Sequence, residues 1–230
     1  MNRTLITLLT LGCWLTASIP TATRAEAPST VSADEALKLL QAGNQRFVSG
    51  ALKSVTTEEL AQRRSELAQG QKPFAIVVCC SDSRVGPEIV FDHELGNLFV
   101  VRTAGEVLDA AGIGSIEYAV AHLGSPLLVV LGHEHCGAVA AAVADAKEPG
   151  HIASIVKAIR PAVERTKAEP GDPLQNAIVA NVQDVAAQLR RQGPIISEAV
   201  KSGRLKITGA VCSLKSGKVE QVPDQPGSAK

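Results

Sequence analysis

Aromatic residues are scarce: one Trp, one Tyr and four Phe, 3% of 230 residues. A surface that stacks successive bases of a single strand needs more of them, which excludes that mode of nucleic-acid binding. Net charge is missing as well, since 23 basic side chains face 23 acidic ones. Nucleic acid or an anionic membrane as the main partner would demand a basic excess. Past residue 27 no apolar run approaches the roughly 20 residues that span a bilayer. Internal repeats and low-complexity tracts are also absent. The apolar share, 45%, is ordinary for a globular protein. A chain this long buries about 70% of its unfolded surface, so it folds without a covalent staple.

The N-terminus reads as an export signal. Arg3 supplies a positive start, Leu5 to Ile19 is uncharged and mostly apolar, and Ala25-Glu26-Ala27 has the small-x-small pattern of a cleavage site. The expected organisation is a signal peptide over 1–27 and one catalytic α/β domain over 28–230, with a helical arm at about 33–70. The location expected is periplasmic or secreted, with no membrane contact after signal removal. Cys13 and Trp14 leave with the signal, and Cys79, Cys80, Cys136 and Cys212 remain. An even count in an exported protein permits disulfides, but the spacing of three of them suits a metal better.

Apolar residues at helical spacing predict helices over 34–48, with Ser32 as N-cap, and over 57–68. The period then changes. Phe74–Cys79, Leu98–Arg102 and Leu127–Leu131 are continuous apolar runs, as in strands buried on both faces. Helical stretches follow at 113–123, 137–146, 152–165 and 174–191, and a last run covers 205–213. Strands alternating with helices imply a parallel sheet covered on both sides.

Ligands of such sheets bind beyond the C-terminal ends of the strands. The first strand ends in Cys80-Ser81-Asp82-Ser83-Arg84, the third in Gly132-His133-Glu134-His135-Cys136-Gly137. One tight turn presents both His133 and Cys136, and Cys80 joins them if the strands are neighbours. Two Cys and one His are the donor set of a zinc site that keeps one position open. Cys79 alternates away from Cys80 and reads as a core thiol, and so does Cys212. Arg84, two residues from Asp82, can grip that carboxylate through paired hydrogen bonds and keep it ionised. Asp82 would then orient a zinc-bound hydroxide; left free, it could instead ligate the metal. His135, between the ligands, is a proton shuttle or a bystander.

These motifs resemble the β-class carbonic anhydrases. The resemblance runs from Gly43-Asn44-Gln45-Arg46-Phe47 to the last strand and includes Phe99–Gly105 and Gly114–Tyr118. It implies one Zn2+ per subunit on Cys80, His133 and Cys136, an Asp82–Arg84 catalytic dyad, and reversible hydration of carbon dioxide to bicarbonate and a proton. It also implies a homodimer or tetramer, in which the N-terminal helices cross to the partner and the second strand extends the sheet. His93, Phe99 and Gly137 are assigned to the substrate pocket or to proton transfer, with His93 and Phe99 arriving from the other subunit. The fold expected is α/β: a central sheet of four parallel strands plus one antiparallel edge strand, flanked by helices.

The sequence departs from the pattern at several points. Val77 and Cys212 stand where members with an inhibitory bicarbonate site have Trp and Tyr, although Arg102 is present. His93 and Glu106 replace a Gln and an Asn common in relatives. Two other readings remain open at this level. One is a hydrolase of carbonyl sulfide or carbon disulfide on the same scaffold. The other is a non-catalytic zinc-binding or thiol-redox protein.

Overall fold

The computed structural model describes residues 31–224. The signal peptide assigned to 1–27 lies outside them. Among the described residues no helix is long and apolar enough to cross a membrane.

Strands β1 (Ala75–Cys79), β2 (Leu98–Arg102), β3 (Leu127–His133), β4 (Lys206–Cys212) and β5 (Val219–Val222) form one sheet in the order β2-β1-β3-β4-β5. The first four are parallel and β5 runs antiparallel to β4. This is the α/β architecture expected. β1 and β3 are buried at every position, as their unbroken apolar runs demand. Alternation divides their side chains between two cores. Ile76, Val78, Leu128 and Val130 pack with helices α4 (Ala110–Ala121), α6 (Ile152–Thr166), α7 (Pro173–Arg191) and α8 (Ile195–Lys201). Ala75, Val77, Cys79, Leu127 and Leu131 pack on the opposite face with helices α1 (Ala33–Ser49) and α3 (Pro87–Val90).

Helix α1 begins at a full capping box, in which the Ser32 hydroxyl accepts from the Glu35 N–H and the Glu35 carboxylate accepts from the Ser32 N–H. It buries Ala36 and Leu40 on its own sheet. Asn44 ties it down by donating to the Val90 and Gly217 carbonyls and accepting from the Val219 N–H. Helix α2 (Thr57–Leu67) is also boxed, by Thr56 and Glu59, yet buries none of its residues within the chain.

The structure corrects several sequence readings. β3 runs two residues further than its apolar run, through Gly132 to His133. Gly132 reads as punctuation, but it is a contact: a β-carbon there would lie 2.5 Å from Val182 on α7. Helix α4 starts three residues earlier than expected, because the Asp109 carboxylate caps the Gly112 N–H. Helices α3 and α8 had no sequence signal: one spans four residues and the other follows Gly193-Pro194, which reads as a stop.

Candidate metal centre and active site

The register brings the two ligand-bearing strand ends together. Cys79 pairs with Leu131 across β1 and β3, so Cys80 emerges beside the Gly132–His133 end. Helix α5 (Gly137–Val143) then starts directly after Cys136. Sγ of Cys80, a ring nitrogen of His133 and Sγ of Cys136 all lie within 4.8 Å of one another, on buried residues. The two sulfurs are 4.0 Å apart. Sulfurs held at about 2.3 Å around a tetrahedral ion would be separated by roughly 3.8 Å. All four described cysteines are free thiols.

The histidine is oriented for the same purpose. Its Nδ1 is 2.8 Å from the Glu134 carbonyl. A carbonyl only accepts, so Nδ1 carries the proton and Nε2 presents a lone pair. That Nε2 is buried and has no hydrogen-bond partner. A bare polar atom in a core costs roughly 1–3 kcal/mol, a cost that a bound cation removes. The donor set therefore fits zinc, by its softness, its number and its orphaned nitrogen.

The two sulfurs are in hydrogen-bond contact. The hydrogen-bond contact with Cys136, with help from the Gly105 N–H 3.3 Å from its sulfur, holds the Cys80 thiol well below the ordinary range. The same bond, with burial, pushes Cys136 upward. Burial pushes Glu106, which is close by, up to about 8.

Asp82 stands at the edge of this cluster, its Oδ2 3.8 Å from His133 Nε2. Arg84 grips it from three nitrogens: the backbone N–H at 2.9 Å and Nε at 2.8 Å on Oδ1, and Nη2 at 2.6 Å on Oδ2. That grip holds the carboxyl below the usual carboxylate range. Asp82 is thus paired with Arg84 at the rim of the cluster.

Arg102 has a definite structural task. Its Nε and Nη2 donate to the Cys80 and Asp82 carbonyls at 3.0 and 2.6 Å, fixing the turn that carries ligand and dyad. Val77 and Cys212 lie buried in the opposite core. His135 is exposed, at φ 52°, and its carbonyl receives a 3.4 Å contact from Arg84 Nη2. Within one chain the pocket residues do not all gather. Phe99 lies on β2 with its ring 6.5 Å from that of Tyr118, and Gly137 opens α5 beside Cys136. His93 is turned instead to the Leu39 carbonyl, at 3.2 Å, and to the Phe74 ring. Nothing in the residue order singles out Asn181, a buried residue of α7 whose amide reaches the Gly105 carbonyl and the Glu106 carboxylate.

Fold and cluster together define an α/β protein with a mostly parallel sheet and a Cys2His cluster that could hold a metal ion, beside an Asp-Arg pair. The family model described as carbonic anhydrase matches residues 75–219. Carbonic anhydrase 2 of Mycobacterium tuberculosis is 42% identical over 187 residues, covering 80% of this chain and 89% of that protein. The carbonic anhydrase of Mycolicibacterium smegmatis is 40% identical over 189 residues, covering 80% and 91%. Among solved structures, a tetrameric β-carbonic anhydrase of Sordaria macrospora superposes with TM-score 0.67 at 26% identity, covering 70% of this chain and 86% of that one. The Coccomyxa β-carbonic anhydrase in complex with acetazolamide gives 0.66 at 25%, covering 80% and 85%. The chain belongs to the carbonic anhydrase family, in its β class.

Proposed function

We propose that the protein is a zinc-dependent carbonate dehydratase that interconverts carbon dioxide and bicarbonate at the Cys80–His133–Cys136 centre. The observation that carries this reading is the convergence of two thiols and an unpartnered imidazole nitrogen beside an Asp82 already gripped by Arg84. Cys80, His133 and Cys136 would hold one Zn2+ per subunit. When bound, zinc supplies the Lewis acidity that makes water a nucleophile near neutral pH. Asp82, ionised by its pairing with Arg84, is an acceptor only. It can therefore take a hydrogen bond from the attacking group and turn a lone pair toward the substrate carbon. Arg102 keeps Asp82 and Cys80 on one rigid turn. Burial of all three ligands excludes competing water from the donor atoms.

The reading extends to the whole chain: a cleaved signal over 1–27, a periplasmic or secreted location, and a homodimer or tetramer. Helix α2, which buries nothing at home, is consistent with assembly across a subunit boundary.

The test is metal analysis of the purified protein together with stopped-flow hydration of carbon dioxide and, in parallel, hydrolysis of carbonyl sulfide. The expected result is one zinc per chain and turnover of carbon dioxide. Asp82→Ala should keep the zinc and lose about 10²–10⁴-fold in rate. Full activity in Asp82→Ala would discard the dyad, zinc without any turnover would favour a storage or redox role, and turnover confined to carbonyl sulfide would favour the hydrolase.

A further inference from the structure

Behind the ligands lies a second layer that the proposed chemistry does not use. Asn181 and Glu106 are 3% and 2% exposed, and they come from elements far apart in sequence. The Asn181 amide donates to the Gly105 carbonyl at 2.9 Å and to Glu106 Oε2 at 3.1 Å. Gly105 and Glu106 are both left-handed, at φ 64° and 56°. That conformation costs a residue with a β-carbon about 1–3 kcal/mol and persists only where the surroundings enforce it. Gly105 cannot be replaced cheaply, because a β-carbon there would come within 2.7 Å of Ile159 and 3.0 Å of Ala138. Glu106 Oε1 has no hydrogen-bond partner. The chain thus keeps a strained turn and a half-satisfied buried carboxyl, two features that each work against stability. Between them stands the Gly105 N–H, which donates to the Cys80 sulfur at 3.3 Å.

We propose that Asn181 and Glu106 are positioning residues, a buried clasp that aims the Gly105 amide at the Cys80 sulfur and so tunes that ligand's hold on the metal. This rests on the reading of the cluster as a metal centre. An N–H on a ligating sulfur draws off part of its charge. The sulfur then gives less to the ion, and the ion stays a stronger Lewis acid. The sulfur is also held in one orientation. Asn181 suits the task because its amide offers two hydrogens in one plane. One fixes the turn through its main chain, the other through its side chain.

Cobalt(II) in place of zinc is the probe, read in the full-length wild type, in Asn181→Leu, and in the double variant Asn181→Leu/Glu106→Leu. The double variant removes the carboxyl that the single one leaves without its donor, a replacement that can be nearly neutral for stability. Both variants should bind cobalt with the thiolate-to-cobalt absorption moved to longer wavelength, because the sulfur has lost its hydrogen bond. Zinc affinity should fall roughly 10- to 100-fold, because the sulfur is no longer held in place and its thiolate has lost a stabilising N–H, which outweighs its stronger donation. An unmoved band and affinity within about twofold in either folded variant would overturn the clasp. If both variants fail to fold, the pair serves stability and the positioning role is likewise overturned. A wild type that takes up neither cobalt nor zinc would instead sink the metal reading itself, and the clasp with it.

Discussion

Cys79 and Cys80 are adjacent in sequence and chemically opposite. Alternation at the end of β1 sends one to each face of the sheet. Cys79 lands among Ala75, Val77 and Leu131, where burial pushes its thiol up to about 12. Cys212, on the same face, is pushed to about 11 for the same reason. Cys80 is nearly as enclosed, yet its thiol moves downward, because the contact with Cys136 and the hydrogen bond from the Gly105 N–H both favour its thiolate. Enclosure therefore does not decide whether a buried thiol is inert. The polar groups converging on it do, and only one face of this sheet has them.

The largest effect should come from exchanging the sulfur on either face. Cys80→Ser is expected to cost at least about 100-fold in zinc affinity, more than the loss of an outer-layer contact, and to abolish measurable hydration. Cys79→Ser should keep its zinc and lose only the roughly 1–3 kcal/mol of burying a hydroxyl. Metal titration and thermal unfolding of the two variants decide the matter. A Cys79→Ser protein that loses zinc while Cys80→Ser retains it would break the comparison at its root.

A smaller effect concerns pH. Two thiolates would cancel the +2 charge of a bound zinc, so water there would be acidified less than beside three neutral imidazoles, where its pKa is about 7. The hydration rate should accordingly rise toward the alkaline side. Asp82 contributes nothing to this slope, since Arg84 keeps it ionised far below neutrality. A rate that stays flat between about pH 6 and 9 would contradict the charge arithmetic.

Much of this was legible from residue order. Four of the five strands announce themselves as hydrophobic stretches, and the spacing of His133 and Cys136 puts one at the end of β3 and the other on the turn that follows. The pairing of Asp82 with Arg84 follows from their separation alone. Other features were not legible, for a common physical reason: they depend on how far apart two elements pack. Asn181 looks like any polar residue of a long helix until α7 is laid against the turn at Gly105. Glu106 shows as a departure from the family pattern, but nothing local says that it is buried. His93 carries a chemistry suited to a pocket, yet its orientation is set by the Leu39 carbonyl on α1.

The smallest effect lies in the stability of the two faces. Described polar residues buried against α1 and α3, such as Asn44, are neutral, whereas the ligand face encloses the Glu106 carboxyl. Its pKa of about 8 in the fold lies above the unfolded value of about 4.5. The folded chain thus binds the proton more tightly than the unfolded one. The resulting stabilisation is complete below about pH 4.5 and is lost as pH rises through about 8. Glu106→Gln removes the titration while preserving an acceptor for Asn181. In the metal-stripped protein its stability relative to the parent should therefore grow from pH 5 to pH 9, by about 1–3 kcal/mol. Urea unfolding at the two pH values measures the difference. A variant whose advantage is the same at both would mean that the carboxyl is ionised in the fold, and that the ligand face tolerates a buried charge as readily as the other tolerates its thiols.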